Sequence, residues 1–211
     1  MKLNYFDLGL YRGEELDWMV NHILPSLGIK NYHAYGFEAC FEYYLKLKEK
    51  YKNNNKITII HGAISKNDNK IKLFYAPNLL GHSIYSTKNN VTEKYEEVNG
   101  IVFSNWIKEN VINFEKDFNI MKVNIEGAEW DLFNDIVKNS LNKHIKIFCG
   151  AGHDVEKIGE LSDKVDEYYD LLKKNKIILH RFTEWKPHLN VDIRNIILEE
   201  IKKIIERNKN D

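Results

Sequence analysis

The sequence contains few cysteines and prolines and no long apolar run. Its 211 residues include two cysteines, Cys40 and Cys149, and three prolines. Two cysteines are too few for a disulfide framework or a zinc site, which agrees with a reducing compartment. No apolar run approaches the roughly 18 residues of a membrane-spanning helix, and the polar N-terminus lacks the pattern of a secretory signal. We therefore expect a soluble, cytoplasmic protein without a membrane partner.

The chain also lacks an excess of charge of either sign. Its 31 Lys and Arg residues balance 31 Asp and Glu residues, so nothing in the composition indicates a nucleic-acid partner. The hydrophobic share of 43% is enough for a sizeable core. With no internal repeat or linker, residues 1–211 are expected to form a single domain. The amino-acid sequence specifies no oligomeric state.

Strand-like and helix-like segments alternate along the chain, which is typical of βαβ units and a parallel sheet. The expected strands are residues 3–8, 32–37, 57–60, 98–103, 120–125, 145–149 and 177–182, with a hairpin or edge strand at 70–75. The expected helices follow Gly13 and lie at 41–51, from 106, at 128–137, between about 158 and 172, and at about 192–207. Residues 81–97 show no periodicity, and a loop of that length is usually functional or mobile.

A glycine-bearing turn follows the first apolar strand, in the segment Asp7-Leu8-Gly9-Leu10-Tyr11-Arg12-Gly13. The segment lacks the Gly-x-Gly-x-x-Gly spacing that holds a pyrophosphate, which disfavours a nicotinamide-dependent oxidoreductase. Glu14 and Glu15 also stand where a phosphate would require bare amides. An acid before the turn suits a cofactor with a cationic amino-acid end, such as S-adenosylmethionine. The alternative is an ordinary strand–turn–helix in which Asp7 only caps.

Two further segments fit an adenosine-containing cofactor. Glu38 ends the second strand, where an acidic side chain can accept hydrogen bonds from both ribose hydroxyls. Gly62-Ala63-Ile64 follows the third strand, and small residues there let an adenine ring lie against the backbone. The alternatives are a surface glutamate and a turn whose small residues serve packing.

Polar residues interrupt the apolar strand at 120–125. Lys122, Asn124 and Glu126 alternate, so their side chains are expected on one face, where burial is costly unless they serve a function. In the alternative, Lys122 is a structural ion-pair partner of Glu129. No His or Cys spacing indicates a metal site, although Asn124, Glu126 and His153 are able to hold a divalent ion if they converge.

His153 stands in a glycine-rich turn after the next strand, at the sheet edge where open α/β folds bind ligands. Histidine accepts protons near neutral pH, and the alternative is a solvated loop residue. His82 and Ser83, in the long loop, are weaker candidates for reaching the same pocket.

Taken in order, these segments resemble the FkbM-type methyltransferases, a branch of the S-adenosylmethionine-dependent class I fold, from about residue 5 to residue 153. Asp7-Leu8-Gly9 with Gly13 is similar to the opening cofactor motif of that family, and Tyr35-Gly36-Phe37-Glu38 to its Ala-Phe-Glu element. The octet Lys122-Val123-Asn124-Ile125-Glu126-Gly127-Ala128-Glu129 resembles the family signature Lys-Ile-Asp-Val-Glu-Gly-Ala-Glu.

The resemblance implies an α/β fold, a three-layer αβα sandwich with a Rossmann-like, seven-stranded, mostly parallel sheet whose last strand is antiparallel. It implies methyl transfer from S-adenosylmethionine to a hydroxyl of a sugar, glycan or small natural product, with S-adenosylhomocysteine as the product. Cofactor contacts are expected from Asp7, Gly9, Leu10, Gly13, Glu38, Ala39, Gly62, Ala63, Ile64 and Asn124. The acceptor is expected to lie beside Lys122, Asn124, Glu126 and His153, with His153 as the base that takes the hydroxyl proton.

Three features depart from the family pattern. Asn124 replaces the usual Asp, which removes a charge and a metal ligand, while Leu10 and Arg12 replace small or polar turn residues. The chain begins almost at its first strand, so we expect it to lack the segment that covers the substrate in many relatives. These departures motivate an alternative function, a non-catalytic binding or partner module that keeps the fold.

Overall fold

The computed structural model describes residues 2–77, 80–180 and 193–210. Its strands are β1 (Leu3–Leu8), β2 (Tyr32–Glu38), β3 (Ile57–His61), β4 (Ala63–Ile64), β5 (Lys70–Phe74), β6 (Tyr95–Ile101), β7 (Phe118–Val123), β8 (Ile145–Gly150) and β9 (Leu179–His180). Its helices are α1 (Glu14–Trp18), α2 (Leu24–Ser26), α3 (Phe41–Tyr51), α4 (Phe103–Asn110), α5 (Glu129–Lys138), α6 (Val165–Lys174) and α7 (Ile193–Asn210). A π-helical turn, Met19–Ile23, joins α1 to α2.

Six of these strands form the central sheet, in the order β3-β2-β1-β7-β8-β9. Every pairing in it is parallel. The chain moves outward in one direction from β1 to β3 and then in the other from β7 to β9. The crevice between β1 and β7 is therefore the topological switch point, where open α/β sheets bind their ligands.

Helices cover both faces of the central sheet. The central strands β1 and β7 are therefore buried along their whole length. On one face, apolar residues of α1 to α3, the π-helical turn and α7 pack against the sheet. This part of the core includes Tyr5 of β1 with Leu16, Met19, Leu47 and Ile197. On the other face, the core is formed with α4, α5 and α6 and includes Phe6, Phe103, Leu132, Phe133 and Tyr168. The predicted three-layer αβα fold with a Rossmann-like strand order is confirmed.

The strand count differs from the prediction. Within the described ranges the central sheet has six strands and no antiparallel member, and the strand that follows α6 pairs in parallel with β8. The parallel direction of β9 follows from the helical crossover, which returns the chain to the same edge of the sheet. Residues 181 and 182 of the predicted strand 177–182 lie outside the described residues.

A smaller sheet lies beside the third strand. It has the order β4-β6-β5, with β5 and β6 antiparallel, as expected for residues 70–75. The segment between β5 and β6 returns across the switch point, and we call residues 80–94 of this segment the roof. An antiparallel bridge between Phe74 and Ser83 and a hydrogen bond from the Tyr75 amide to the Lys94 carbonyl, 2.9 Å long, attach both ends of the roof to the small sheet.

Several boundaries are shifted from their predicted positions. The strand predicted at 120–125 is β7, which ends at Val123, because Glu126 and Gly127 take positive φ values of 58° and 108° that no strand allows. The predicted helix at 106 begins at Phe103, and β6 begins at Tyr95 rather than at residue 98. Within the described residues, no helix combines the length and the apolar character needed to cross a bilayer.

Candidate active site at the carboxyl edge of the central sheet

A cavity of about 590 Å³ opens at the switch point, a size that suits a small-molecule ligand. The loops after β1, β2, β3 and β7 form its walls, and the roof covers it. Many of the residues predicted to bind a cofactor line it, namely Gly9, Leu10, Glu38, Ala39, Gly62, Ala63, Ile64 and Asn124. Lys122 and Glu126, predicted beside the acceptor, line it as well.

The turn after β1 brings two loops into direct contact. Gly9 has a φ of +84°, and a Cβ there would lie 1.9 Å from the Asn124 carbonyl oxygen. The Asn124 amide donates to the Leu8 carbonyl at 3.0 Å. Only glycine allows this approach, so the sequence places the first turn and the residue after β7 at the same point of the cavity wall.

Asp7 lies beneath the cavity and does not line it, contrary to the expected direct cofactor contact. Its side chain is fully buried, and its Oδ1 lies 2.9 Å from Lys122 Nζ. Lys122 Nζ also donates to the Gly9 carbonyl at 2.7 Å, and the Tyr5 hydroxyl donates to Asp7 Oδ2 at 3.2 Å. Lys122 therefore pairs with Asp7 and not with Glu129, and its ammonium holds the glycine turn from below.

The ionisation of this pair follows from burial and mutual attraction. Burial raises the pKa of Asp7 to about 6, while the charge of Lys122 opposes the rise. Burial lowers the pKa of Lys122, but the charges of Asp7 and Glu15 and the hydrogen bond to Asp7 together outweigh this effect, and the net shift is upward. Both groups are therefore charged at neutral pH. The acids that do line the cavity after the first turn are Glu14 and Glu15.

Gly13 and His153 also lie outside the cavity lining. A Cβ at Gly13, where φ is +76°, would lie 2.8 Å from Leu47 Cδ2, so this glycine lets the start of α1 approach α3. His153 is exposed at the start of a short 3-10 turn, Asp154–Lys157. Its role as a base stays a prediction, and Asn124, Glu126 and His153 do not line one common cavity.

Glu38 is fixed at the end of β2 by two backbone amides. Cys40 N donates to its Oε1 at 2.8 Å, and Tyr11 N donates to its Oε2 at 2.7 Å. Burial raises the pKa of Glu38 to about 7, although the two amide hydrogen bonds lower it. Each carboxylate oxygen has two lone pairs, so each retains the capacity to accept another hydrogen bond from a ligand.

The turn after β7 presents Glu126 in a constrained conformation. Its φ of 58° is unusual for a residue with a side chain. Glu129 holds this turn, because its carboxylate accepts from the Ile125 amide at 2.9 Å and from the Gly127 amide at 2.6 Å. Burial raises the pKa of Glu129 to about 7. The octet at residues 122–129 thus contains one acid that lines the cavity, Glu126, and one that shapes the turn, Glu129.

The roof contributes residues that sequence reasoning missed or ranked low. Lys88 lies in the roof with its side chain 2% exposed, and its Nζ contacts Glu126 Oε2 at 2.7 Å. His82 lines the cavity, accepts from the Ala76 amide at its Nδ1 at 3.0 Å, and has a pKa lowered by burial. For Lys88, the available sequence signal was the absence of periodicity over residues 81–97, which indicates a functional or mobile loop without naming its residues.

The donor set of the cavity fits an adenosyl amino acid better than a metal ion. Apolar and small groups (Ala63, Ile64, Leu73 and Ile84) line it, with carboxylates Glu14, Glu15, Glu38 and Glu126 also in the lining. A Cβ at Gly62 would lie 2.4 Å from Ile101 Cδ1, so Ile101 packs closely behind this part of the wall. Among the described residues, no group of three or more His, Cys, Asp or Glu side chains is arranged to hold a metal ion.

Comparison with known proteins gives a limited result. No protein-family model matches the chain, and no curated protein matches it. Among solved structures, it is similar to the crystal structure of the methyltransferase FkbM from Methylobacillus flagellatus KT, with 13% sequence identity and a TM-score of 0.47. The match covers 81% of this chain and 37% of that chain. A likeness of this degree identifies no activity, so the functional argument depends on the cavity itself.

Proposed function

We propose that this protein is an S-adenosylmethionine-dependent methyltransferase that acts on a hydroxyl of a sugar, glycan or small natural product. The observation that carries the proposal is the convergence, in one cavity, of the Gly9 turn, Glu38, the Gly62–Ile64 segment and Asn124 with Glu126. These four segments come from four different strand ends. Their meeting at the switch point supports binding of one elongated ligand along the sheet edge.

Each wall of the cavity matches one part of the cofactor. Glu38 is held by two amides in a position to accept hydrogen bonds from ribose hydroxyls. Ala63 and Ile64 offer a small, apolar surface for a purine ring, and Glu14 and Glu15 provide negative charge for an α-ammonium group. S-adenosylmethionine, when bound, supplies an electrophilic methyl group on a sulfonium.

The remaining wall fits the acceptor. Glu126 and Asn124 line the part of the cavity next to the Gly9 turn. In this proposal Glu126 accepts the proton of the acceptor hydroxyl, and Asn124 orients the acceptor. Glu126 therefore replaces His153 as the proposed base, because Glu126 lines the cavity and His153 does not.

Calorimetry tests the proposal in two steps. The purified chain should bind S-adenosylhomocysteine and S-adenosylmethionine with one-to-one stoichiometry, and it should not bind NAD under the same conditions. Transfer of a labelled methyl group to a panel of sugars, glycans and small hydroxylated natural products then identifies the acceptor class. Failure to bind either adenosyl compound would contradict the proposal, and binding without transfer to any acceptor would favour the non-catalytic binding module.

A further inference from the structure

Lys88 is a buried cation in the roof whose ammonium is directed at the cavity wall. Its Nζ donates to the Gly81 carbonyl at 2.7 Å and to Glu126 Oε2 at 2.7 Å. The Lys88 side chain is 2% exposed and that of Glu126 is 25% exposed. Burying an ammonium is costly unless a partner compensates it, so the roof in this position requires the carboxylate of Glu126.

The attachment of the roof does not depend on this ammonium alone. Backbone hydrogen bonds join the Asn89 amide to the Lys157 carbonyl at 3.2 Å and the Gly159 amide to the Thr87 carbonyl at 3.2 Å. The Ser83 hydroxyl donates to the Glu126 carbonyl at 2.7 Å. These contacts hold the roof on two sides, and an apolar side chain at position 88 would satisfy the same burial without a charge.

The backbone and the carboxylate of Glu126 are held by different residues. Glu129 fixes the amides on either side of it, and Ser83 fixes its carbonyl. Only Lys88 contacts its carboxylate among the hydrogen bonds described for the turn. The contact uses Oε2, so Oε1 keeps both of its lone pairs for a ligand, whereas Oε2 keeps one.

We infer that Lys88 is a positioning residue, which holds the Glu126 carboxylate in an orientation that presents Oε1 to the hydroxyl of the methyl acceptor. The inference rests on the proposed function. In the transfer step, the acceptor oxygen forms a bond to the methyl carbon, the carbon–sulfur bond breaks with its electron pair going to sulfur, and the hydroxyl proton moves to Glu126. Displacing a reacting group by about 1 Å can cost about 10²-fold in rate, which is the reason to hold this carboxylate rigidly.

The test compares crystal structures of the wild-type protein and of Lys88→Met, each with S-adenosylhomocysteine. We expect the roof backbone to be unchanged in Lys88→Met, whereas the Glu126 carboxylate leaves its position or becomes disordered. Lys88→Arg should restore the carboxylate position. The inference is overturned if Glu126 keeps its position without Lys88, or if the roof itself moves away, since Lys88 would then have a purely structural role. If Lys88→Met does not fold, Lys88→Gln replaces it in the comparison, because Gln also removes the charge. The Glu126 carboxylate should then leave its position in Lys88→Gln and keep it in Lys88→Arg.

Two further measurements separate this inference from the proposed function. Calorimetry should give the same affinity for S-adenosylhomocysteine in Lys88→Met and wild type within about threefold; absence of binding in wild type would contradict the proposed function instead. With an acceptor identified, Lys88→Met should lower kcat by about 10²-fold at unchanged KM. Lys164→Met is the control, because Lys164 pairs with Glu167 at the surface and lies outside the cavity lining, and its kcat should equal that of wild type.

Discussion

Asp7 and Lys122 are register partners on the adjacent parallel strands β1 and β7, and their side chains form an ion pair 2.9 Å long in the protein interior. Their exposed fractions are 0% and 1%. Because Lys122 also binds the Gly9 carbonyl, this pair links the core of the sheet to the turn that forms the cavity floor. Its loss should affect both stability and cofactor binding.

Lys122→Met should lower the free energy of unfolding by about 3–5 kcal/mol, because the substitution leaves the Asp7 carboxylate buried without compensation. Urea unfolding followed by circular dichroism measures the change. Lys164→Met is the control, since Lys164 pairs with Glu167 at the surface and should lose no more than about 1 kcal/mol. Equal losses in the two variants would contradict this role for the buried pair, and Asp7→Asn combined with Lys122→Met should recover part of the loss.

Gly9→Ala should be more destabilising than Gly28→Ala. Both glycines have positive φ values, +84° and +68°, but only Gly9 has a backbone oxygen within 2 Å of the added Cβ, and Gly28 has open space. Gly28→Ala should therefore cost about 1 kcal/mol for the backbone conformation, and Gly9→Ala about 1–3 kcal/mol more for the clash. Thermal unfolding measures both, and calorimetry should show weakened S-adenosylhomocysteine binding in Gly9→Ala alone.

Glu38→Gln should weaken binding of S-adenosylhomocysteine at pH 8 by roughly 10–100-fold, because a neutral amide replaces a charged acceptor. The pKa of Glu38 is raised to about 7, so the wild-type carboxylate is ionised above this pH and takes up a proton below it. Wild-type affinity should therefore fall as the pH is lowered from 8 to 6, and the affinity of Glu38→Gln should be flat. Glu97→Gln, at an exposed position of β6, serves as the control in the same titration. A wild-type affinity independent of pH over this range would argue against a ribose contact at Glu38.

Glu126→Gln and His153→Ala distinguish the two candidate bases. The cavity geometry predicts that Glu126→Gln lowers kcat by roughly 10²–10⁴-fold with little change in cofactor affinity, while His153→Ala stays within about twofold of wild type. The rate of methyl transfer to an acceptor from the labelling panel measures both. A large loss in His153→Ala with normal turnover in Glu126→Gln would restore the base predicted from the sequence.

The sequence was informative where local patterns determine structure. The helix at 41–51 and the end of β2 at Glu38 follow from apolar periodicity and from the acid that terminates the strand, and both match the structure. The side of the sheet on which Asp7 lies could not be predicted, because β1 is buried on both faces and therefore shows no alternation. Its partner Lys122 is 115 residues away, and only the register between β1 and β7 brings the two together.

The roof shows why the candidate site was only partly predictable. Lys88 has no neighbours in sequence that mark it as special, and its partner Glu126 is 38 residues away. The contact forms because the segment between β5 and β6 crosses the switch point. This crossing depends on the topology of the fold and not on a local sequence pattern. The exposure of His153 was unpredictable for a similar reason. Its place after β8 was predicted correctly, but its exposure depends on the turn that follows.

The roof, residues 80–94, lies in the connection between β5 and β6 of the small sheet, and none of its residues belongs to a strand of the central sheet. Residues can thus be added to or deleted from this excursion without altering the registry of the parallel strands beneath. Evolution and protein engineering are accordingly free to change which molecules enter the crevice while the walls formed at the ends of the parallel strands stay intact.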